Sequence, residues 1–194
     1  MNTTEHLVEA YYRQKGCFTA TDIKVDNGNN RQFDLLTFDI KANKICHIEV
    51  SVTHSINKSW IRPLDNITNE VRFKFFGIPK NKRPDNQKTD YAKGKTYLEP
   101  IKSTYSKFGI NYKDVTRVWC TWCLSENDKS NIDKWKQSMA NEFNLKPDNF
   151  EILLFRDEVL STLLNNIGTS NYDDELLRTL SLISEFKRQT EPIK

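Results

Sequence analysis

The stretch from Phe33 to Val52 limits the fold more than any other part of the chain. Phe33 to Ile40 and Ile45 to Val52 are two strand-like runs, joined only by Lys41-Ala42-Asn43-Lys44, and are expected to pair as a hairpin. Each run carries one acid among apolar neighbours, Asp34 in Phe-Asp-Leu-Leu and Glu49 in Ile-Glu-Val-Ser. A carboxylate in such surroundings is costly unless it has a partner. Strand alternation puts Cys46, Ile48, Val50 and Val52 on one apolar face, with His47, Glu49, Ser51 and Thr53 opposite. On the preceding strand Gln32, Asp34, Leu36 and Phe38 share a face. Once paired, the two strands bring Asp34 and Glu49 together. Converging carboxylates repel, and a hard divalent cation such as Mg2+ or Mn2+ relieves the repulsion.

Around this hairpin the pattern alternates between helix and strand. Residues 4–15 read as a helix capped by Thr3 or Thr4, with Glu5 at its positive end and Gly16 as its stop. Cys17 to Asp26 has strand composition, and the Asn27-Gly28 pair signals a tight turn into the hairpin. Further on, Asn66–Phe76 and Tyr91–Phe108 (despite Pro100) read as helices, and Gly77–Asp90 as loop. Val115–Leu124 and Phe150–Phe155 read as strands. Asn131–Phe143, with Ile132, Trp135, Met139 and Phe143 on one stripe, reads as a helix, as do Asp157–Ile167 and Tyr172–Lys187. The expected class is α/β (α+β), a mixed sheet flanked by helices. The 194 residues suit a single domain. Its core would be about 4–60 plus 115–155, with an insertion at about 61–110 and closing helices at 157–187.

No run approaches 18 apolar residues, so no membrane span is expected. Met1–His6 shows neither a basic lead nor an apolar stretch, and the four cysteines sit mostly in apolar contexts. Both features point to a cytoplasmic protein with reduced thiols. Cys120-Thr121-Trp122-Cys123 has CxxC spacing, but no second pair follows and a strand would send its thiols to opposite faces. His47 and His54 lack a nearby nucleophile motif and read as hydrogen-bonded neighbours or phosphate contacts. No glycine-rich phosphate loop occurs, which argues against an NTPase.

Three segments in order, Leu7-Val8-Glu9-Ala10-Tyr11-Tyr12, Arg31-Gln32-Phe33-Asp34-Leu35-Leu36 and Ile48-Glu49-Val50-Ser51-Val52, resemble the PD-(D/E)xK nuclease superfamily. The likeness covers roughly residues 4–60. It implies a restriction-endonuclease-like core of αβββαβ order and metal-assisted hydrolysis of phosphodiesters, with roles in restriction, repair or phage defence. By resemblance Asp34 and Glu49 would hold Mg2+ or Mn2+, with the Val50 carbonyl a further ligand. Glu9 would orient a metal-bound water or a second ion, and Gln32 and Ser51 would lie beside the scissile phosphate. One position departs from the pattern: Ser51 stands where the family has Lys, and a hydroxyl cannot supply positive charge. Lys24, Lys44 and Lys58 are the local lysines that would replace it; otherwise the chain is a module that binds nucleic acid, or a protein, without cutting.

Charge favours a nucleic-acid partner. Residues 1–110 carry a net +6 and residues 111–194 a net −3. Eight basic residues lie between Arg72 and Lys95, including Lys74, Lys80, Lys82, Arg83 and Lys88, against Asp85 and Asp90. Phe73, Phe75, Phe76 and Tyr91 are interleaved, and Lys58 and Arg62 flank Trp60. Cations and stacking rings in one region suit a phosphate backbone and its bases; the expected substrate is DNA rather than RNA. A homodimer or a partner subunit would suit cleavage of both strands.

Overall fold

The computed structural model describes residues 2–28, 30–52, 61–78, 97–168 and 172–190. The chain opens with helix α1 (Thr3–Gln14), followed by strands β1 (Phe18–Lys24), β2 (Gln32–Asp39) and β3 (Lys44–Ser51). Helices α2 (Leu64–Phe76) and α3 (Leu98–Lys107) lead to β4 (Val115–Thr121). Helices α4 (Glu126–Ser130) and α5 (Ile132–Phe143) lead to β5 (Phe150–Leu154); a π-helical turn, α6 (Ser161–Asn166) and α7 (Glu175–Thr190) follow. The cap of α1 is Asn2 rather than Thr3 or Thr4. Its side chain accepts from the Thr4 and Glu5 amides, and Glu5 closes a capping box onto the Asn2 amide. Pro100 is accommodated because it lies in the first turn of α3, where backbone N–H groups lack helical partners anyway.

The five strands form one mixed sheet in sequence order. β1, β2 and β3 are an antiparallel meander, while β4 and β5 add in parallel to β3. Crossovers through α2 and α3, and through α4 and α5, supply the length that parallel pairing requires. β4 is buried along its whole length, as a central strand covered on both faces must be. One face packs Leu35, Ile48, Val118 and Leu153 against Leu7, Val8 and Tyr11 of α1 and against Val159 and Leu163. The other packs Trp119 and Phe150 against Ile67, Val71 and Phe75 of α2 and Trp135 and Met139 of α5. At the start of β4 on that face, Ile101 and Tyr105 of α3 cover Phe33, Leu36 and Val115.

The expected apolar face of β3 is present, since Cys46, Ile48, Val50 and Val52 all join the cluster under α1. β2 alternates less regularly than expected. Phe33 shares a cluster with Leu36, not with Leu35. The cause is a gap in pairing at Asp34. β1 pairs with β2 at Thr21↔Leu35 and Ile23↔Phe33 but not at the level of Asp34, where Asp22 takes φ +52°. The β2–β3 ladder ends at Leu35↔Ile48, while β3 goes on pairing with β4 as far as Ser51↔Thr121. The sheet therefore forks beside Asp34.

α2 ends at Gly77, whose φ of +66° lets the Gly77 and Ile78 amides turn back to the Arg72 carbonyl. A Cβ on Gly77 would stand 2.6 Å from the Tyr97 backbone, whereas one on Gly109 (φ +69°) would meet nothing within 4 Å. Both alanine substitutions carry the left-handed penalty of about 1–2 kcal/mol, but only Gly77→Ala adds a backbone clash. Gly77→Ala is therefore expected to lower Tm clearly more than Gly109→Ala in parallel thermal melts. Equal losses would contradict the close approach of residue 97 to the end of α2.

Candidate functional site

The fork is where the charged side chains gather. Past Leu35↔Ile48 the Val50 amide has no β2 carbonyl to reach, and Asp34 Oδ2 accepts it at 2.8 Å. Glu49 lies one residue earlier on β3 and is 1% exposed. Lys74 of α2 completes the group: its Nζ is 2.5 Å from Glu49 Oε2 and 3.8 Å from Asp34 Oδ1. Lys74 is the cation that meets Glu49 Oε2, the oxygen turned away from His47. Its other oxygen, Oε1, is 2.9 Å from His47 Nε2.

Electrostatics follow from burial. Desolvation pushes the Asp34 carboxyl up to about 6, and the neighbouring Glu49 charge adds to the rise against the pull of Lys74 and the Val50 amide. Burial likewise raises Glu49, opposed by Lys74 and by its contact with Asp34. Burial disfavours the Lys74 ammonium, but the two carboxylates outweigh it and raise its pKa. Lys74 is therefore a cation held by two reluctant anions. Behind them Arg117 is 1% exposed and donates to the Val115 and Tyr112 carbonyls, both at 2.8 Å.

The expected site residues divide. Asp34 and Glu49 come together as the hairpin argument requires. Ser51 is half-buried, opposite Thr121 at the open end of the fork. Val50 contributes its amide to Asp34. Glu9 is engaged elsewhere, accepting from the Thr19 hydroxyl at 2.8 Å and lying 3.3 Å from Arg13 Nε. The α1 acid that feels the Asp34 charge is Glu5, one turn earlier, itself buried and raised chiefly by desolvation. Gln32 is exposed and reaches Asp22 Oδ1 at 3.5 Å, so its amide turns to β1 and not to the acid pair. His47 is fully buried, which makes it a hydrogen-bonded neighbour and removes it as a phosphate contact.

Of the lysines expected to replace the one missing at Ser51, Lys44 is paired with Glu151 and Lys24 is exposed at the end of β1. Lys58 lies outside the described residues. The lysine that reaches the acids is Lys74, expected from the sequence among the backbone-contacting cations. Its signal was present: Lys74 falls seven residues after Ile67 and three after Val71, on the buried stripe of α2. A lysine on that stripe needs an anion beneath it.

Arg72, expected to contact nucleic acid, makes a two-pronged pair with Glu142 at 2.7 and 2.8 Å. Arg62 is half-buried just ahead of α2, and Lys80, Lys82, Arg83 and Lys88 lie outside the described residues. The Tyr97 amide donates to the Gly77 carbonyl at 3.3 Å, so residues 78 and 97 sit side by side, one turn beyond Lys74. Arg31 lies nearby, donating to the Phe73 carbonyl with its guanidinium over the rings of Phe73 and Tyr97.

Among the described residues no group of three or more His, Cys, Asp or Glu side chains converges as a metal cluster. No helix among them is long and apolar enough to cross a membrane. The four cysteines are free thiols. No family model matches the chain, and no curated protein or solved structure matches it.

The raised Asp34 fixes the sign of a pH effect. Between its ordinary value near 3.8 and its folded value of about 6, the native state holds a proton that the unfolded chain has lost, so stability falls as pH rises through this window. Above it, ionised Asp34 weakens the fold by about 1–3 kcal/mol. Asp34→Asn keeps an acceptor for Val50 and removes the charge. It is expected to raise the denaturation midpoint at pH 7.5, with the gain vanishing at pH 4. Equal effects at both pH values would show that Asp34 is not held against its own ionisation.

Proposed function

We propose that the protein is a divalent-metal-dependent nuclease that hydrolyses phosphodiester bonds, in DNA rather than RNA. The observation that carries this reading is the convergence of Asp34, Glu49 and the Lys74 ammonium at the open fork of the sheet. The succession of α1, the β1–β3 meander, helices, β4 and β5 supports a restriction-endonuclease-like core. Lys74 supports the reading further, because it brings to the acids the positive charge that Ser51 cannot provide.

The donor set fits a hard cation. Mg2+ commonly takes only one or two carboxylates and fills the rest of its shell with water and substrate phosphate. Glu49 Oε2, the oxygen turned away from His47, and Asp34 Oδ1 are the oxygens that would hold it. When bound, such an ion lowers the pKa of an attacking water and offsets charge on the phosphoryl group. The chain's own groups account for the rest. The Val50 amide fixes the Asp34 carboxylate, leaving its second oxygen to face Glu49 and Lys74. Lys74, on a flexible stem, turns from the carboxylates to a non-bridging phosphate oxygen, where it stabilises charge in the transition state. Water oxygen bonds to phosphorus and gives up a proton, the bond to the leaving sugar oxygen breaks, and that oxygen takes up a proton. The basic residues Lys80, Lys82, Arg83 and Lys88 would hold the DNA backbone.

A second reading is favoured by the same lysine. An ammonium already meets both carboxylates, so the fork can stand as a neutralised pair in a module that binds nucleic acid without cutting. Incubation of plasmid and single-stranded DNA with Mn2+ or Mg2+ separates the two. Cleavage is expected, lost in Asp34→Ala and Glu49→Ala and reduced roughly hundredfold or more in kcat by Lys74→Met. Salt-sensitive DNA binding with no metal uptake and no cleavage would establish the inert module instead.

A further inference from the structure

Beneath the acid pair runs a buried chain of hydrogen bonds that neither the resemblance nor the proposed chemistry uses. Tyr105 of α3 places its hydroxyl 2.5 Å from His47 Nδ1, and His47 Nε2 is 2.9 Å from Glu49 Oε1. Tyr105 and His47 are wholly buried and Glu49 is 1% exposed. The imidazole is packed by Phe33, with ring centres 4.0 Å apart, and by the edge of Phe75 at 4.7 Å.

The proton positions follow from what each group can do. Glu49, facing an ammonium, is a carboxylate and only accepts, so His47 Nε2 carries the hydrogen. His47 Nδ1 is then bare and accepts from the Tyr105 hydroxyl, which lies 2.5 Å away and can donate. The chain runs in one direction, from Tyr105 through His47 to Glu49. It ends on a carboxylate whose other oxygen is left for charge contacts with Lys74 and the space beside Asp34. Glutamate has three rotatable bonds; Lys74 meets Oε2 from the flexible end of a long side chain, whereas His47 holds Oε1 from a ring packed on all sides.

We propose that His47, oriented by Tyr105, is a positioning residue for Glu49. By holding Oε1 it keeps Oε2 turned toward Asp34, so that both acids present one oxygen to a shared cation. This rests on the reading of Asp34 and Glu49 as a cation site. Outer groups that orient a metal's ligands contribute about 10–100-fold in affinity, and the effect belongs to binding as well as turnover.

The test is calorimetric titration of the full chain with Mn2+, alongside thermal unfolding of each variant. His47→Ala is expected to weaken Mn2+ binding roughly tenfold or more. His47→Gln, whose side-chain amide can donate to Glu49 from the same place, is expected to stay within about threefold of wild type, and Tyr105→Phe to fall between the two. If His47→Ala does not fold, Tyr105→Phe decides. Wild-type Mn2+ affinity in Tyr105→Phe and His47→Ala, or in Tyr105→Phe alone where Ala does not fold, with only Tm lowered, would make the chain structural and overturn the proposal. A wild-type protein that takes up no more Mn2+ than Glu49→Ala would remove the cation site itself, and with it anything for His47 to position.

Discussion

The bond from the Val50 amide to Asp34 is the point on which the rest of the site turns. A sheet whose ladders all continued would have no room among its strands for a carboxylate. Here β2 drops out of both registers at Asp34, and the side chain takes the donor that the missing β2 carbonyl would have accepted. The exchange keeps a buried N–H satisfied while leaving the second Asp34 oxygen aimed into the opening. Asp34 and Glu49 lie where β2 leaves β3, and Asp22 on β1 is out of the ladder at the same level.

Burial then decides the chemistry. Asp34 and Glu49 are less exposed than isolated carboxylates tolerate; burial raises both, and the Glu49 charge raises Asp34 further. The fold answers with Lys74 from the covering helix, and with Arg117 one strand over, held by carbonyls and aromatic rings. Taken together, two acids and two bases around a neutral His47 leave the interior balanced. An arrangement of this kind is poor at stabilising a fold, since buried ion pairs scarcely recover their desolvation. It is well suited to exchange one cation for another.

Much of the architecture was legible in local pattern. The hairpin, the Asn27-Gly28 turn, the stripe of Trp135 and Met139 on α5 and the β4 strand all follow from periodicity and turn chemistry, and their boundaries move by one to three residues at most. The convergence of Asp34 with Glu49 was legible too, because a short connection leaves antiparallel pairing as the simple solution. Long-range contacts were not legible. Glu9, given its role by the resemblance, faces Thr19 and Arg13, and Glu5 is the α1 acid that feels the Asp34 charge. Lys44 and Lys24 looked near Ser51 along the strands, but strand neighbours point along the sheet or to its far side.

The sequence by itself determined the strands, the apolar face of β3 and the presence of two acids that demand a cation, because those depend on alternation and on short loops. Only the tertiary structure decided which cation answers and what lies behind the acids. Lys74 is 25 residues beyond Glu49, and Tyr105 is 58 beyond His47. Both arrive on helices laid across the sheet by the crossover to β4. Such contacts are set by how helices pack on a buried face, a matter of shape and volume that no local periodicity encodes.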